Sequence, residues 1–295
     1  MIYDEDPFRR RPENRWPGEN DRRGLSEWRK IWPNGLPDEG QSSKPGHRMA
    51  AEGMPFPRRW NGGTISTDLD VISGMSGRNS AMTLKTELDA YTNELLRELG
   101  DDVEKLFAGQ IEQARSFKVL EHGLGVGANA PNFSLPSATD ETVELKRLLE
   151  DGPVVLTFYR GGWCPYCNIQ LRAYQHILPD LRELGARLVA VSPETPDNAE
   201  VTQKREELEF HVLSDHGNAV ARQYGLVFPL SSDVSSMFED WDINLEKHNG
   251  VEGDEIPVPA TYVIDEGSTI IFGRPDVDYR TRVEPEDILA ALRSG

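Results

Sequence analysis

The chain has 295 residues, with 32 Lys and Arg against 50 Asp and Glu, which gives a net charge of −18. This charge argues against nucleic acid or an anionic membrane surface as a partner, and no apolar run approaches the roughly 20 residues of a membrane-spanning helix. The acidic start, Met-Ile-Tyr-Asp-Glu-Asp-Pro, is unlike a secretory signal, so we expect a cytoplasmic protein.

Residues 1–80 differ in composition from the rest of the chain. They carry 13 Lys and Arg, 12 Asp and Glu and 8 of the 20 prolines, whereas residues 81–295 carry 19 Lys and Arg and 38 Asp and Glu. A proline-rich, charged stretch without periodicity is typical of disorder, and we predict a disordered or weakly ordered extension over residues 1–81. Four of the six tryptophans lie here and favour a docking segment as an alternative: Trp16, Trp28, Trp32 and Trp60. A third possibility is that the native protein starts at Met82.

Residues 82–122 have the apolar spacing of two amphipathic helices. The apolar positions are Leu84, Leu88, Tyr91, Leu95, Val103, Leu106, Phe107 and Ile111. A break is expected near Gly100-Asp101, because glycine is a common helix end. We therefore predict a helical N-terminal segment over residues 82–122.

Residues 123–295 alternate between short apolar runs and helix-forming runs. The predicted strands are Asn132–Ala138, Val154–Tyr159, Arg187–Val191, Phe210–Leu213, Ala260–Ile264 and Thr269–Phe272. The predicted helices are Leu145–Glu150, Cys164–Gly185 with a kink or division at Pro179, Asp197–Leu208, Asn218–Tyr224 and Glu284–Leu292. This alternation predicts an α/β domain whose mixed central sheet is mainly parallel at its centre and carries helices on both faces.

Residues 227–256 interrupt this alternation with an acidic and aromatic stretch. An insertion of this size could form a lid or an oligomer contact, as in a homodimer. A packed loop is the simpler interpretation.

Cys164 and Cys167 are the only cysteines, and they lie between a predicted buried strand and a predicted helix. A helix N-terminus favours a thiolate over a thiol, because its free N–H groups and its dipole attract negative charge. In a reducing compartment a close cysteine pair is more often catalytic than structural. We therefore predict a redox-active dithiol whose sulfur atoms lie near each other and near solvent.

Two other interpretations of the pair were considered. A structural zinc site needs four ligands, and the sequence has no second cysteine pair and no histidine pair at ligand spacing, so we expect no metal and no cofactor. The pair could also be two inert buried cysteines.

Several segments, in order and spacing, resemble the peroxiredoxin-like branch of the alkyl hydroperoxide reductase/thiol-specific antioxidant family. They are residues 127–135 (GANAPNFSL), 158–167 (FYRGGWCPYC), 191–195 (VSPET), 213–215 (LSD), 224–226 (YGL) and 259–265 (PATYVID). The resemblance implies a thioredoxin-like fold over residues 123–295 and reduction of hydroperoxides through a Cys164/Cys167 dithiol–disulfide cycle. It also implies a thioredoxin-like or low-molecular-weight thiol reductant. The alternatives are a thiol-disulfide oxidoreductase that acts on protein disulfides and a redox-sensing binding module.

The sequence departs from the typical family pattern in ways that leave the nucleophile open. Typical members have Phe-Tyr-Pro, a threonine four residues later and the peroxidatic cysteine seven residues later. Counted from Arg160, these positions hold Cys164 and Cys167. Similarity to thioredoxins instead favours attack by an exposed Cys164. The arginine that usually precedes the late strand is replaced by Pro259.

Three further residues are assigned to the site. Arg160 is predicted to supply the missing positive charge, with a solvent-facing loop arginine as the alternative. Trp163 is predicted to be a packing wall beside the dithiol that substrate contacts, and Tyr166 an exposed spacer. The resemblance also implies that Pro259 is a cis-proline that faces the dithiol.

Overall fold

The computed structural model describes residues 83–139 and 141–294. The predicted extension over residues 1–81 lies outside the described residues. Its disorder, the tryptophan docking segment and the alternative start at Met82 therefore stay predictions, as does the division of the chain into domains.

The N-terminal segment folds as three helices: α1 (Leu84–Leu99), α2 (Asp101–Ser116) and α3 (Val119–His122). The Thr83 hydroxyl caps α1 by accepting from the backbone N–H of Thr86. Gly100 separates α1 from α2 in a conformation with φ +78°, which glycine adopts without strain. The two predicted amphipathic helices and the break between them are confirmed.

The central sheet contains five strands in the order β5-β4-β3-β8-β9. Their bounds are β3 (Val154–Phe158), β4 (Arg187–Ser192), β5 (His211–Ser214), β8 (Ala260–Ile264) and β9 (Ile270–Pro275). Strands β3, β4 and β5 are parallel, whereas β8 is antiparallel to both β3 and β9. The predicted mixed sheet is therefore confirmed, but its centre is not mainly parallel, because β3 has one parallel and one antiparallel neighbour.

Helices cover the sheet on both faces, as the resemblance to a thioredoxin-like fold implies. Every residue of β3 and of β8 is buried, which requires both faces of these strands to be covered. The remaining helices before residue 227 are α4 (Leu145–Leu149), α5 (Pro165–His176), α6 (Leu178–Glu183), α7 (Pro196–Arg205) and α8 (Ala219–Gln223), and α11 (Pro285–Ser294) follows β9. The predicted long helix divides at Ile177, so that Pro179 lies in the first turn of α6.

Two small antiparallel ribbons flank the sheet. One pairs β1 (Ser134–Pro136) with β2 (Thr142–Glu144), and the other pairs β6 (Val227–Pro229) with β7 (Glu255–Pro257). Between β6 and β7 lie the helices α9 (Ser232–Asp240) and α10 (Leu245–Asn249). The predicted packed loop over residues 227–256 is thus largely regular structure, and the sequence analysis missed its two helices and two strands.

In the part of the chain that the structure describes, no helix combines the length and the apolar composition needed to cross a membrane.

Candidate active site

The two cysteines lie where strand β3 turns into helix α5. Cys164 is the N-cap of α5, Pro165 is its first residue and Cys167 is in its first turn. Proline is well suited to the first helical position, because its missing N–H would have no helical partner there. N-cap and N3 side chains lie on the same side of a helix start, as in a capping box. This local geometry brings the two thiols together.

Two glycines allow the loop before Cys164 to pack closely. A Cβ atom on Gly161, which has φ +143°, would lie 2.3 Å from the Trp163 indole nitrogen. A Cβ atom on Gly162 would lie 1.8 Å from the Thr202 hydroxyl. The Gly162 N–H donates to the buried Glu194 carboxylate at 2.8 Å, which fixes this loop against the end of β4.

Both thiols are buried, and the prediction that they lie near solvent is wrong. Cys164 is 2% exposed and Cys167 is 0% exposed. The expectation of an exposed first cysteine therefore fails as well. The thiols are free and hydrogen-bonded to each other, so the pair is close but closed to bulk water.

Ionisation is divided unequally between the two thiols. Burial raises the pKa of Cys164, and its hydrogen bond to Cys167 raises it further. Burial also opposes ionisation of Cys167, but the hydrogen bond from Cys164 and the charges of Arg282 and Arg160 hold its pKa below the usual range. The charges of Arg282 and Arg160 therefore favour the thiolate form at Cys167 over the thiolate form at Cys164.

Arg282 brings a guanidinium group to Cys167 from a distant part of the chain. Its Nη2 lies 3.6 Å from Cys167 Sγ, and its Nη1 donates to the carbonyl groups of Tyr279 and Thr281. The side chain is buried, so its charge acts on the thiolate with little screening by water. The sequence analysis missed this residue, because it lies 115 positions from Cys167 in a loop without a recognisable motif.

Arg160 lies beside the dithiol in an aromatic enclosure. Its guanidinium carbon is 4.3 Å from the ring centre of Tyr279, 4.9 Å from that of Trp163 and 5.8 Å from that of Phe238. Its backbone N–H donates to Cys167. Since the side chain is 5% exposed, the alternative of a solvent-facing loop arginine is wrong.

The other residues assigned to the site also lie near the dithiol. Trp163 is buried and packs edge to face on Phe238, with ring centres 5.1 Å apart. Tyr166 is buried rather than an exposed spacer, and its hydroxyl lies 3.1 Å from that of Thr92 on α1. Pro259 is buried at the entrance to β8, while the cis form of its peptide bond stays a prediction.

Pro259 borders two small spaces next to the site. One is a cleft lined by residues that include Arg282, Gln170 and Thr261, and the other lies on the Arg160 side. Each has room for about one water molecule. Across residues 83–139 and 141–294, no group of three His, Cys, Asp or Glu side chains is arranged to hold a metal ion.

Comparison with known proteins places this site in a family. Residues 126–272 match the model of the AhpC/TSA family. A stretch of 100 residues is 31% identical to the chloroplastic peroxiredoxin Q of Triticum aestivum, over 34% of this chain and 46% of that protein. A stretch of 108 residues is 29% identical to the thiol-disulfide oxidoreductase ResA of Bacillus thuringiensis, over 36% of this chain and 61% of that protein.

Among solved structures, peroxidoxin BcpB from Mycobacterium tuberculosis aligns with a TM-score of 0.46 and 23% identity, over 58% of this chain and 97% of that one. The chain spans about half the length of the curated relatives that it matches. The match of residues 126–272 to the AhpC/TSA family, with the sheet order and the dithiol at the start of α5, supports a peroxiredoxin-like protein with a thioredoxin fold.

Proposed function

We propose that the protein is a thiol peroxidase in which Cys167 attacks a hydroperoxide and Cys164 resolves the product. The observation that carries this proposal is the position of the Arg282 guanidinium, whose Nη2 lies 3.6 Å from Cys167 Sγ, with the buried Arg160 beside the same dithiol. The family match supports the same activity. This assignment agrees with the count from Arg160, which puts Cys167 on the peroxidatic position of the family.

The reaction begins at the Cys167 thiolate. Its sulfur attacks the outer oxygen of the hydroperoxide, the S–O bond forms, the O–O bond breaks, and an alcohol leaves after taking up a proton. The Cys164 sulfur then attacks the Cys167 sulfenic acid, which releases water and closes the internal disulfide. A dithiol reductant of the thioredoxin type, or a low-molecular-weight thiol, restores both thiols by exchange.

Arg282 and Arg160 replace the threonine and arginine that typical members use. A lowered thiol pKa alone gives only a modest gain in reactivity, because nucleophilicity falls with pKa. The larger effect comes from positive groups that stabilise the charge on the departing oxygen. Arg282 is suited to this role, since it touches Cys167 and also lines the cleft next to Pro259.

Burial of the dithiol requires an access step. The cleft beside Pro259 is lined by Arg282, which touches Cys167, so displacement of the segment around Arg282 would open a path from this cleft to the thiol. Pro259, which lines the cleft, and Trp163, which packs on the Arg160 guanidinium, are the proposed substrate contacts. A closed resting site also protects a reactive thiolate from adventitious alkylation and oxidation.

Rapid-mixing kinetics with single-cysteine variants test the proposal. Cys164→Ser should still consume about one equivalent of peroxide and accumulate a sulfenic acid on Cys167, which mass spectrometry after trapping would locate. Cys167→Ser should lose the fast reaction. If the sulfenic acid instead formed on Cys164 in the Cys167→Ser variant at the normal rate, the assigned roles would be reversed.

Thiol-disulfide exchange with protein substrates is a second candidate. The 108-residue similarity to the oxidoreductase ResA and the Trp-Cys-Pro-Tyr-Cys sequence favour it. The burial of Cys164 opposes it, because a protein disulfide needs an exposed attacking sulfur. Insulin-disulfide reduction without peroxide turnover would favour this candidate, and inertness in both assays would favour a redox-sensing binding module. A cytoplasmic location and a homodimer remain part of the proposal.

A further inference from the structure

Helix α5 carries a buried tyrosine two turns after the proposed nucleophile. Tyr174 follows Cys167 by seven residues, which is close to two turns of an α-helix, so both side chains lie on the same side of α5. Both residues are 0% exposed. The Tyr174 hydroxyl is therefore a polar group that must find its hydrogen-bond partners inside the protein.

This hydroxyl joins α5 to the loop that carries Arg282. It lies 3.0 Å from the Val283 carbonyl oxygen and 3.1 Å from the Thr261 hydroxyl of β8. Because a carbonyl can only accept, Tyr174 donates its one proton to Val283 and accepts from Thr261. The hydrogen bond to Val283 spans 109 positions of the chain and ends one residue after Arg282.

Further buried groups set the direction of this hydrogen bond. The Thr157 hydroxyl of β3 lies 3.1 Å from that of Thr261, and Gln170 Nε2 donates to both threonines, at 3.2 and 3.4 Å. The hydrogen bonds therefore run from Gln170 through the threonines and Tyr174 to the Val283 carbonyl. All of these side chains are buried, so water does not compete for their partners, and successive hydrogen bonds polarise each other.

The other partners of Arg282 do not fix its distance from α5. Its Nη1 donates to the carbonyl groups of Tyr279 and Thr281, which belong to the same loop and move with it. Its Nη2 lies 3.6 Å from Cys167 Sγ, and this contact exists only while the loop stays in place. The hydrogen bond from Tyr174 is different, because it links the backbone next to Arg282 to the helix that carries the sulfur.

We propose that Tyr174 is a positioning residue that keeps the Arg282 guanidinium against the Cys167 sulfur by holding the Val283 carbonyl. One helix carries both Cys167 and Tyr174, so the sulfur and the loop that brings its counter-charge share one rigid support. Tyr174 acts through Arg282. As a contribution to peroxide reduction this role rests on the proposed function, whereas its effect on the Cys167 thiolate does not.

The groups around Cys167 make this role measurable. The titratable and charged groups that act on its thiolate are Cys164, Tyr159, Arg160 and Arg282. Of these, Arg282 belongs to the loop that Tyr174 holds. Burial raises the pKa of Tyr174 to about 12, so Tyr174→Phe removes a hydrogen bond and no charge. The charged groups near Tyr174 are Arg282 and Glu284, and both stay in the variant.

Titration of the Cys167 thiolate in the full-length Cys164→Ser chain, followed by its ultraviolet absorbance, tests the proposal. The Cys164→Ser/Cys167→Ser chain supplies the blank. Tyr174→Phe should shift the midpoint to higher pH and, below the midpoint, lower the thiolate fraction about two- to tenfold, the scale of one lost hydrogen bond. Tyr224→Phe is the matched control. Tyr224 is equally buried and its hydroxyl donates to the Pro131 carbonyl at 3.3 Å, outside the loop that carries Arg282, so its removal should leave the midpoint in place.

Combination with Arg282→Met separates positioning from a general effect on packing. If Tyr174 acts through Arg282, adding Tyr174→Phe to Arg282→Met should leave the midpoint unchanged, which is a non-additive result in a double-mutant cycle. Thr261→Val provides a second variant should Tyr174→Phe fail to fold. It removes the hydroxyl that donates to Tyr174, so it should shift the midpoint in the same direction.

Three results would overturn the proposal. They are an unshifted midpoint in the variant that folds, equal shifts in Tyr174→Phe and Tyr224→Phe, and an undiminished shift when Arg282→Met is already present. Because the titration needs no peroxide, these results are independent of whether the peroxidase function holds.

Discussion

Two stretches of chain meet at Cys167, and they are built differently. Residues 154–168 run from a central strand through a glycine loop into α5, and backbone pairing on both sides of β3 fixes their path. Residues 276–284 form an irregular loop without ladder pairing, held by single contacts such as the ion pair between Asp278 and Arg280 and the hydrogen bond from the Tyr174 hydroxyl to the Val283 carbonyl. The first stretch supplies both sulfur atoms, and the second supplies Arg282 and Tyr279.

The position of the nucleophile and the charge around it are therefore separable in this fold. The sheet holds the thiols in place whatever the late loop does. The loop sets how strongly the thiolate is stabilised, and its displacement would open the site. Variants can therefore disturb the charge and leave the cysteine geometry intact, which allows each contribution to be measured alone.

The largest effect is expected from removing the charge that the loop provides. Arg282→Met should slow sulfenic acid formation about ten- to a hundredfold, the scale of losing one electrostatic stabiliser. Arg282→Lys should fall between this variant and the wild type, because it keeps the charge but not the planar fork. Rapid-mixing peroxide kinetics would measure both.

A matched control lies in the same loop. Arg280 pairs with Asp278 and does not touch either sulfur atom, so Arg280→Met should change the rate far less than Arg282→Met. Equal losses in the two variants would mean that loop order, rather than the charge on Cys167, sets the rate. Arg160→Met should also lose at least about tenfold, since it removes the other nearby cation.

The pH dependence of Cys167 reactivity reports the charge that the late loop supplies. In Cys164→Ser the remaining hydroxyl can still donate, and the two guanidinium groups should keep the pKa of Cys167 below its ordinary value. Adding Arg282→Met removes a group that favours the thiolate, so the iodoacetamide reaction should reach its midpoint at higher pH. An unchanged midpoint would mean that Arg282 does not lower the pKa of Cys167.

A lowered pKa also links folding stability to pH. The folded chain binds fewer protons at Cys167 than the unfolded chain does, so this stabilisation is complete above the unfolded pKa of about 8.5. It is lost as the pH falls through the folded pKa. The free energy of unfolding of Cys164→Ser, measured in urea with and without Arg282→Met, should therefore differ more at pH 9 than at about pH 4. At about pH 4 the Cys167 thiol is protonated in both the folded and the unfolded chain.

The sequence predicted the strand and helix that carry the two cysteines, but it did not predict the irregular loop that brings Arg282 to them. Alternation of apolar and helix-forming runs and the cysteine spacing are local signals, and they located β3, α5 and the dithiol. Arg282 reaches the site from a segment far along the chain, and nothing in its neighbouring residues marks it. The burial of Cys164 and Tyr166 was also missed, because it depends on α1 and on the late loop covering the start of α5.

The helices inside residues 227–256 show the same limit. They are short, at nine and five residues, and short apolar runs do not distinguish a helix from a packed loop. Their contribution is nevertheless specific, since Phe238 of α9 packs on Trp163 and on the Arg160 guanidinium. Packing of this kind depends on tertiary contacts that no local window contains.

The smallest expected effect concerns the glycine loop that joins β3 to α5. Gly162→Ala would place a methyl group against the Thr202 side chain, and overpacking of this kind costs about 1–3 kcal/mol. Thr202→Ala removes the nearest atom, so the double variant should recover part of this loss, and a double-mutant cycle by urea unfolding would measure the coupling. Gly109→Ala is the matched control, because nothing lies within 4 Å of a Cβ atom at that position of α2 and alanine favours helix. Additive effects of Gly162→Ala and Thr202→Ala would mean that the loop shifts so that the new methyl group avoids the Thr202 side chain. The sheet, without this close packing, would then be enough to hold the thiols.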